Sequence, residues 1–137
     1  MSTLKTGKVK TTTIADELDT ESTAVTNVIN GSAKAWVNFN GTGTVAIRGS
    51  FNVDSITDIG TGEYNINFIN AMPDANYSTV ISVASGYSGV SAINRTGQIS
   101  TYLNVPSTTA VSIQTGVNYY SGSTVEDEPY VFVTIHR

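Results

Sequence analysis

Cysteine is absent from this chain of 137 residues, and histidine occurs once, as His136. Without thiols the chain has no disulfide framework, no thiolate metal site and no cysteine nucleophile. A zinc site or a Ser-His-Asp arrangement would have to be built on one imidazole beside the C-terminus, which we interpret as an incidental surface residue. We therefore predict that the protein is not an enzyme and has no catalytic residues, no metal and no cofactor.

Charge and long apolar runs are also scarce. Only 13% of the residues are charged, and the formal net charge is −4. This balance argues against nucleic acid as a partner, because phosphate backbones attract proteins through lysine and arginine. No apolar run approaches the roughly 20 residues that a helix needs to cross a bilayer, and no secretory signal is visible at the basic N-terminus. We expect neither nucleic-acid binding nor membrane insertion.

Neutral polar residues dominate instead, and Thr, Ser, Asn and Gly together supply 59 of the 137 residues. This composition favours short strands joined by tight turns. Apolar and polar residues alternate with period two in eight segments, at 35–40, 44–48, 51–54, 64–68, 81–84, 99–104, 111–114 and 131–136. Such alternation is typical of half-buried strands. We therefore predict an all-β fold over 33–137, a single antiparallel, jelly-roll-like β-sandwich of about eight strands.

Turn sequences separate these segments. Asn40-Gly41 predicts a tight hairpin, because both residues tolerate positive φ. Residues 58–62 have the composition of a longer hairpin loop, and Pro73 marks another turn. Further turns are predicted at 86–89 and 94–97, and a long loop at 118–129.

The first 32 residues differ from the rest, because they begin basic and then turn acidic. The run 8–14 is β-prone, and 14–20 is the only stretch with helical character. It is too short and too poor in apolar residues to pack as a free helix. Residues 1–32 are therefore either a disordered tail or an arm that lies on a neighbouring subunit. We assign attachment and oligomerisation to Lys8, Val9 and Ile14 in this arm.

The carboxylates offer two candidate chemistries. The triplet Glu126-Asp127-Glu128 would suit a hard cation, but consecutive side chains on an extended chain alternate in direction and seldom converge on one ion. We interpret the triplet as a solvated loop. A glycosidase would need a pair of carboxylates. Each candidate for such a pair has a turn or surface explanation: Asp54, Asp58, Glu63 and Asp74.

Aromatic residues are the stronger candidates for ligand contact. Tyr87 lies in Gly-Tyr-Ser-Gly, and Tyr119 and Tyr120 lie in Asn-Tyr-Tyr-Ser-Gly. Tyrosine among Ser, Gly and Asn is typical of adaptable binding loops and also suits sugars. The alternative is that these rings anchor their loops over the core. Trp36, the only tryptophan, either caps the edge of the core or packs against a partner subunit.

One longer stretch resembles a known module. Residues 30–51 read NGSAKAWVNFNGTGTVAIRGSF, and the chain continues NVDSITDIGTGEYNINFINAMPDANY. The run AKAWVNFNGTG, the SFNV and SITD segments and AMPDANY resemble a module of bacteriophage tail and tail-fibre-like proteins, especially from phages of marine and freshwater bacteria. The resemblance covers residues 30–77. The preceding LKTGKVKTTTI looks like the N-terminal attachment segment of such proteins.

The resemblance implies a virion structural protein, usually trimeric, which is made in the host cytoplasm and carries no catalytic residues. Its N-terminal arm would contact other virion proteins, and its β domain would face outward. Host attachment would then use the loops at Tyr87 and Tyr119–Tyr120, with a host cell-surface glycan as one candidate receptor.

Three other functions remain open. The chain is short for a tail fibre and lacks a shaft, so it is alternatively a capsid or tail decoration or adaptor protein without a receptor role. A small carbohydrate-binding module and a polysaccharide depolymerase are the other two alternatives.

Overall fold

The computed structural model describes residues 12–15, 22–85, 94–100, 105–119 and 122–137. The chain divides into two compact units, Met1–Ser32 and Ala33–Arg137. The predicted site residues Lys8, Val9, Tyr87 and Tyr120 lie outside the described residues.

In the first unit, residues 12–15 and 22–32 are described and form two short strands and one short helix. Strand β1 (Thr13–Ala15) pairs antiparallel with β2 (Ser22–Ala24), and α1 (Val25–Gly31) follows directly. The helix lies outside the stretch 14–20, to which the sequence pattern assigns helical character, and Ile14 is in a strand. No residue of α1 is buried, so its formation owes little to packing. Among the described residues, no helix is long and apolar enough to span a membrane.

The described residues of the second unit form nine strands, one more than the sequence pattern predicts. They are β3 (Ala33–Asn40), β4 (Ala46–Phe51), β5 (Val53–Gly60), β6 (Glu63–Phe68), β7 (Ser78–Ala84), β8 (Asn94–Ile99), β9 (Ala110–Tyr119), β10 (Gly122–Val125) and β11 (Tyr130–His136). One antiparallel sheet has the order β4-β3-β11-β7, and the other combines β5, β6, β8, β9 and β10. The predicted all-β sandwich is confirmed.

Strand β9 organises the five-stranded sheet. Its first half pairs with β6, its second half pairs with β10, and β8 pairs along its middle and end. Because a strand has only two edges, β6 and β10 must share the edge opposite β8. Thr115 lies between them, where its N–H donates to Gly62 O at 2.8 Å and its carbonyl accepts from Glu126 N at 3.1 Å. The loop after β10 is thereby held beside the β5–β6 hairpin.

The core lies between the two sheets and is built from the residues that the alternation assigns to the inner face. Buried members are Ala35, Val37, Phe39, Tyr64, Ile66, Phe68, Val111, Ile113, Val131, Val133 and Ile135. The rings of Phe39 and Tyr64 meet edge to face, with centroids 5.1 Å apart, which joins the two sheets near one end of the sandwich. Burying each large side chain contributes about 1.5–3 kcal/mol.

A corner at Asn52 carries the chain from one sheet to the other. Its φ is 55°, a left-handed conformation that asparagine tolerates better than most residues. The side-chain amide donates to Lys34 O at 3.0 Å and to Asn70 O at 3.1 Å, and its oxygen accepts from Asn70 N at 2.7 Å. The predicted single segment 51–54 is therefore two strands, and Phe51 and Val53 face different surroundings.

Two predicted irregular segments are strands. Residues 94–97 begin β8 rather than forming a turn, and they pair with β9. A Cβ on Gly97 would overlap Ile81 Cγ2 and lie 3.1 Å from Ile81 Cβ, so only glycine fits at this position. The glycine thus marks the close approach of β7 and β8. Within the predicted loop 118–129, β10 pairs with β9. Its four residues are all exposed, so no apolar alternation announces it.

Candidate interaction surface

Aromatic side chains cover the outer surface of the four-stranded sheet. The exposed fractions are 42% for Trp36, 55% for Phe51, 42% for Tyr130, 39% for Phe132 and 61% for Val80. We call this surface, around Trp36, Phe51, Tyr130 and Phe132, the aromatic face. Soluble monomers rarely expose contiguous apolar patches larger than a few hundred Å², so this concentration of rings makes the aromatic face the candidate interaction surface.

The strand register brings these rings together. Phe51 lies directly opposite Trp36 on the neighbouring strand. On its other side, Trp36 is opposite Thr134, and Phe132 is opposite Asn38. Directly opposite side chains have Cβ atoms about 4.5–5.5 Å apart, so the rings of Phe51 and Trp36 are neighbours. Asn38 and Thr134 place hydrogen-bonding groups between the apolar side chains.

A glycine shapes the centre of the aromatic face. Gly49 lies opposite Asn38, and a Cβ there would be 3.5 Å from Trp36 Cζ3 and 3.6 Å from Trp36 Cη2. The indole therefore leans across the backbone of β4, in the space that a side chain at Gly49 would border. The indole remains 42% exposed in this position.

An arginine stands beside the rings because the strand pairing is irregular there. The register shifts between Asn38 and Phe39, so Arg48 has no directly opposite residue. Its Cζ lies 4.6 Å from the centroid of the Tyr130 ring, and its Nη1 donates to Asn38 Oδ1 at 3.5 Å. A cation over an exposed ring gains about 0.5–1 kcal/mol. The guanidinium is thus held in place while remaining exposed.

The charges of the four-stranded sheet have one sign. Its strands, which all belong to the described residues, contain Lys34, Arg48 and His136 and no Asp or Glu. The described carboxylates lie elsewhere, in β5 and β6, in the acidic triplet and at Asp74. The Arg137 guanidinium, hydrogen-bonded to the exposed Asp74, lowers the pKa of that carboxyl. A chain of net charge −4 therefore presents an aromatic sheet whose only charged side chains are basic.

The outer surface of the five-stranded sheet is chemically different. We call it the polar face, around Thr57, Glu63, Asn67, Gln98 and Gln114. Gln98 Nε2 donates to Gln114 Oε1 at 2.9 Å, and Gln114 Nε2 donates to Glu63 Oε1 at 3.0 Å. Asn67 Nδ2 donates to Thr57 Oγ1 at 2.9 Å. The side chains of this face hydrogen-bond to one another across the strands.

One residue of the acidic triplet is part of the fold. Asp127 Oδ1 accepts hydrogen bonds from the Tyr64 hydroxyl at 2.8 Å and from Gly62 N at 2.6 Å. The same hydroxyl lies 3.0 Å from Gly41 O. Burial, and then the Asp127 carboxylate, raise the pKa of Tyr64 far above its ordinary value. Asp127 therefore fastens the loop after β10 to the buried Tyr64 and to the β5–β6 turn.

The other two carboxylates of the triplet turn the opposite way, toward Arg95. Glu128 is fully buried and ion-paired with Arg95, and Glu126 Oε2 lies 3.3 Å from Arg95 Nη1. The interpretation of the triplet as a solvated loop is therefore wrong for Glu128. Within the described part of the chain, no group of three or more acidic or histidine side chains is placed to share a metal ion.

The remaining predicted site residues that the structure describes belong to three different strands. Trp36 is at the centre of the aromatic face rather than in the core. Ile14 is in β1 and is 49% exposed. Tyr119 is the last residue of β9, so it belongs to a strand and not to the predicted loop.

Sequence reasoning missed Phe51, Tyr130, Phe132 and Arg48. The sequence could have identified Phe132 as an exposed ring, because this residue occupies the outward position of its strand between the buried residues Val131 and Val133. An aromatic residue at a position that the alternation assigns to solvent is the useful signal. Phe51 carried the opposite signal, because its pairing with Val53 in one segment assigns it to the core.

Comparison with known proteins finds no matching family, no similar curated protein and no similar solved structure.

Proposed function

We propose that this chain is a structural subunit of a bacteriophage virion, in the tail or a tail fibre, and that its β-sandwich contributes to host receptor binding. The aromatic face is the observation that carries the proposal. A partner that covers these rings gains the burial free energy of apolar surface, at about 25 cal/mol per Å². The resemblance of residues 30–77 to phage tail modules supports the virion setting.

The N-terminal unit has the proposed role of attachment to other virion proteins and of assembly into a homo-oligomer, most simply a trimer. Ile14, Val28 and Ile29 support this role, because they are apolar and 49%, 42% and 56% exposed. A subunit assembled in the host cytoplasm would bury these side chains when it joins the particle. A purely structural decoration or adaptor protein of the capsid or tail is the alternative that uses the same contacts.

A binding role is proposed in preference to catalysis. The carboxylates considered for a glycosidase pair occupy separate places: Asp54 and Asp58 are on β5, Glu63 belongs to the polar face, and Asp74 pairs with Arg137. A small carbohydrate-binding module is the second candidate, and the aromatic face favours it, because sugars stack on exposed rings.

Immunogold electron microscopy tests the virion assignment. An antibody against the full-length protein should label the tails or tail fibres of particles from the producing culture. Labelling confined to the capsid would select the decoration protein. Unlabelled particles in a culture that makes the protein would overturn the assignment.

Light scattering tests the proposed assembly. We expect a mass near three times 14.5 kDa for the full-length protein. Ile14→Asp should lower that mass, because it places a charge on an apolar contact. Ile69→Asp is the matched control, since Ile69 is exposed in the second unit. A monomeric wild type would exclude the trimer.

A further inference from the structure

We infer that the aromatic face binds an acidic polysaccharide of the host cell surface, a chain of sugars that carry carboxylates. The inference deepens the proposed function and rests on it for the identity of the target surface. It moves receptor contact from the tyrosine loops to the sheet around Trp36, and it specifies the charge of the ligand.

Ring stacking is the first argument. A pyranose ring presents C–H groups on its flat sides, and these groups pack against the faces of aromatic rings. Trp36 leans over Gly49 and is 42% exposed, and the exposed Phe51 extends the apolar surface onto the next strand. Asn38 and Thr134, which lie between the apolar side chains, can exchange hydrogen bonds with sugar hydroxyls. Rings for stacking and a few polar groups for orientation are the combination that sugar recognition needs.

Charge is the second argument. Arg48 is exposed, and its guanidinium is ordered by Tyr130 and Asn38 beside the rings. A planar guanidinium binds a carboxylate through two parallel hydrogen bonds, and prior ordering reduces the entropy lost on binding. The protein as a whole repels polyanions, since its net charge is −4. An acidic ligand is therefore attracted to this sheet, where the charged side chains are basic.

The same charges disfavour a second copy as the occupant. In a two-fold symmetric contact the same patch lies on both sides of the interface. Two aromatic faces would place the exposed guanidinium groups of both Arg48 residues in one interface, with no carboxylate from these strands. Like charges across an interface cost free energy. A carboxylated glycan instead supplies a negative charge to Arg48.

Affinity electrophoresis of the full-length protein tests this inference. The probes are polygalacturonate, alginate and hyaluronan, with dextran as the neutral polymer. We expect at least one acidic polymer to bind at least tenfold more tightly than dextran. Trp36→Ala should weaken that binding at least tenfold, and Arg48→Gln about fivefold with a smaller dependence on salt.

Matched controls keep the result interpretable. Gln98→Ala, on the polar face, should change binding less than twofold. Phe51→Ser repeats the stacking test at a second exposed ring and should weaken binding severalfold. Thermal unfolding followed by circular dichroism must show that each variant remains folded.

The inference would be overturned if none of the three acidic polymers bound the protein, or if dextran bound it as tightly as they do. It would also be overturned if Trp36→Ala and Gln98→Ala weakened the binding of an acidic polymer equally. A wild-type dimer that Trp36→Ala dissociates would also overturn it, in favour of a second copy. Labelled tails without glycan binding would leave the virion function standing and remove the inference. Binding of an acidic glycan by the protein, in a culture whose particles are not labelled, would remove the virion function and leave the glycan-binding site standing.

Discussion

The two outer faces of the sandwich follow the same alternation and differ in how their side chains are satisfied. On the polar face, Gln98, Gln114 and Glu63 form a hydrogen-bonded row that crosses three strands. On the aromatic face, Trp36, Phe51 and Phe132 remain between 39% and 55% exposed. The outward half of a period-two pattern therefore covers two situations: a surface whose polar side chains hydrogen-bond to one another, and a surface that leaves large apolar side chains exposed.

Asn52 forms the corner that connects the two sheets. We therefore expect its substitution to lower the free energy of unfolding more than the other changes proposed below. Asn52→Ala removes the hydrogen bonds to Lys34 and Asn70 and places alanine at a φ of 55°. We expect a loss of about 3 kcal/mol in the free energy of unfolding, measured by urea denaturation.

Asn52→Gly is the control for this corner, because glycine accepts positive φ and lacks only the amide. It should lose less stability than Asn52→Ala. Equal losses would show that the left-handed conformation at Asn52 does not contribute to the difference in stability between alanine and glycine. Wild-type stability in both variants would show that the corner does not stabilise the sandwich.

Two glycines, one in each sheet, should differ in how much an added methyl group destabilises the fold. Gly97→Ala should destabilise the fold by about 2 kcal/mol, because the new methyl group would overlap Ile81. Gly49→Ala should change the free energy of unfolding by less than about 0.5 kcal/mol, since its Cβ would make an ordinary contact with Trp36. Thermal unfolding of both variants is the measurement, and the reverse order of effects would contradict the packing described for the two sheets.

Removal of the Tyr64 hydroxyl tests the fastening at the end of the sandwich. Tyr64→Phe leaves Asp127 and Gly41 O without the hydrogen bonds from that hydroxyl. We expect a loss of about 1.5 kcal/mol at neutral pH. Urea denaturation measures it, with Tyr130→Phe, at an exposed ring, as the matched control.

The pH dependence of stability should follow from the same residue. Burial and Asp127 raise the pKa of Tyr64 above its ordinary value of 10.0, so the folded state favours the protonated hydroxyl. Its contribution is complete below pH 10 and declines as the pH rises above 10. Wild-type stability should fall on the alkaline side, and the fall should be smaller in Tyr64→Phe. Parallel curves would show that Tyr64 is not the group responsible.

The smallest effect is expected within the polar face. Gln114→Ala removes the middle of the row between Gln98 and Glu63, and both of those neighbours can turn to water. The expected loss is below about 1 kcal/mol. A larger loss in urea denaturation would show that the row stabilises the sandwich and is not only a way of satisfying its surface.

Local alternation was sufficient to predict most of the core. Positions such as Val37, Ile66 and Val133 follow from period two, because successive strand residues must point to opposite sides. The prediction failed where one segment hides two elements, as at Asn52, and where a strand has no apolar side chain to bury, as in β10. It also failed at Gly97, which looks like a turn residue until its neighbour Ile81 is in place.

The fold class and the inward residues of the strands could be predicted from the sequence alone, since both depend on neighbours along the chain. The absence of thiol chemistry follows from composition. Tertiary structure decided which outward residues lie together. The aromatic face is assembled from strands β3, β4 and β11, and Trp36 meets Phe51 only through register between strands. Glu128 became buried for the same reason, because its partner Arg95 comes from β8. Contacts between distant segments depend on strand order, and strand order depends on the free energy of the whole sandwich.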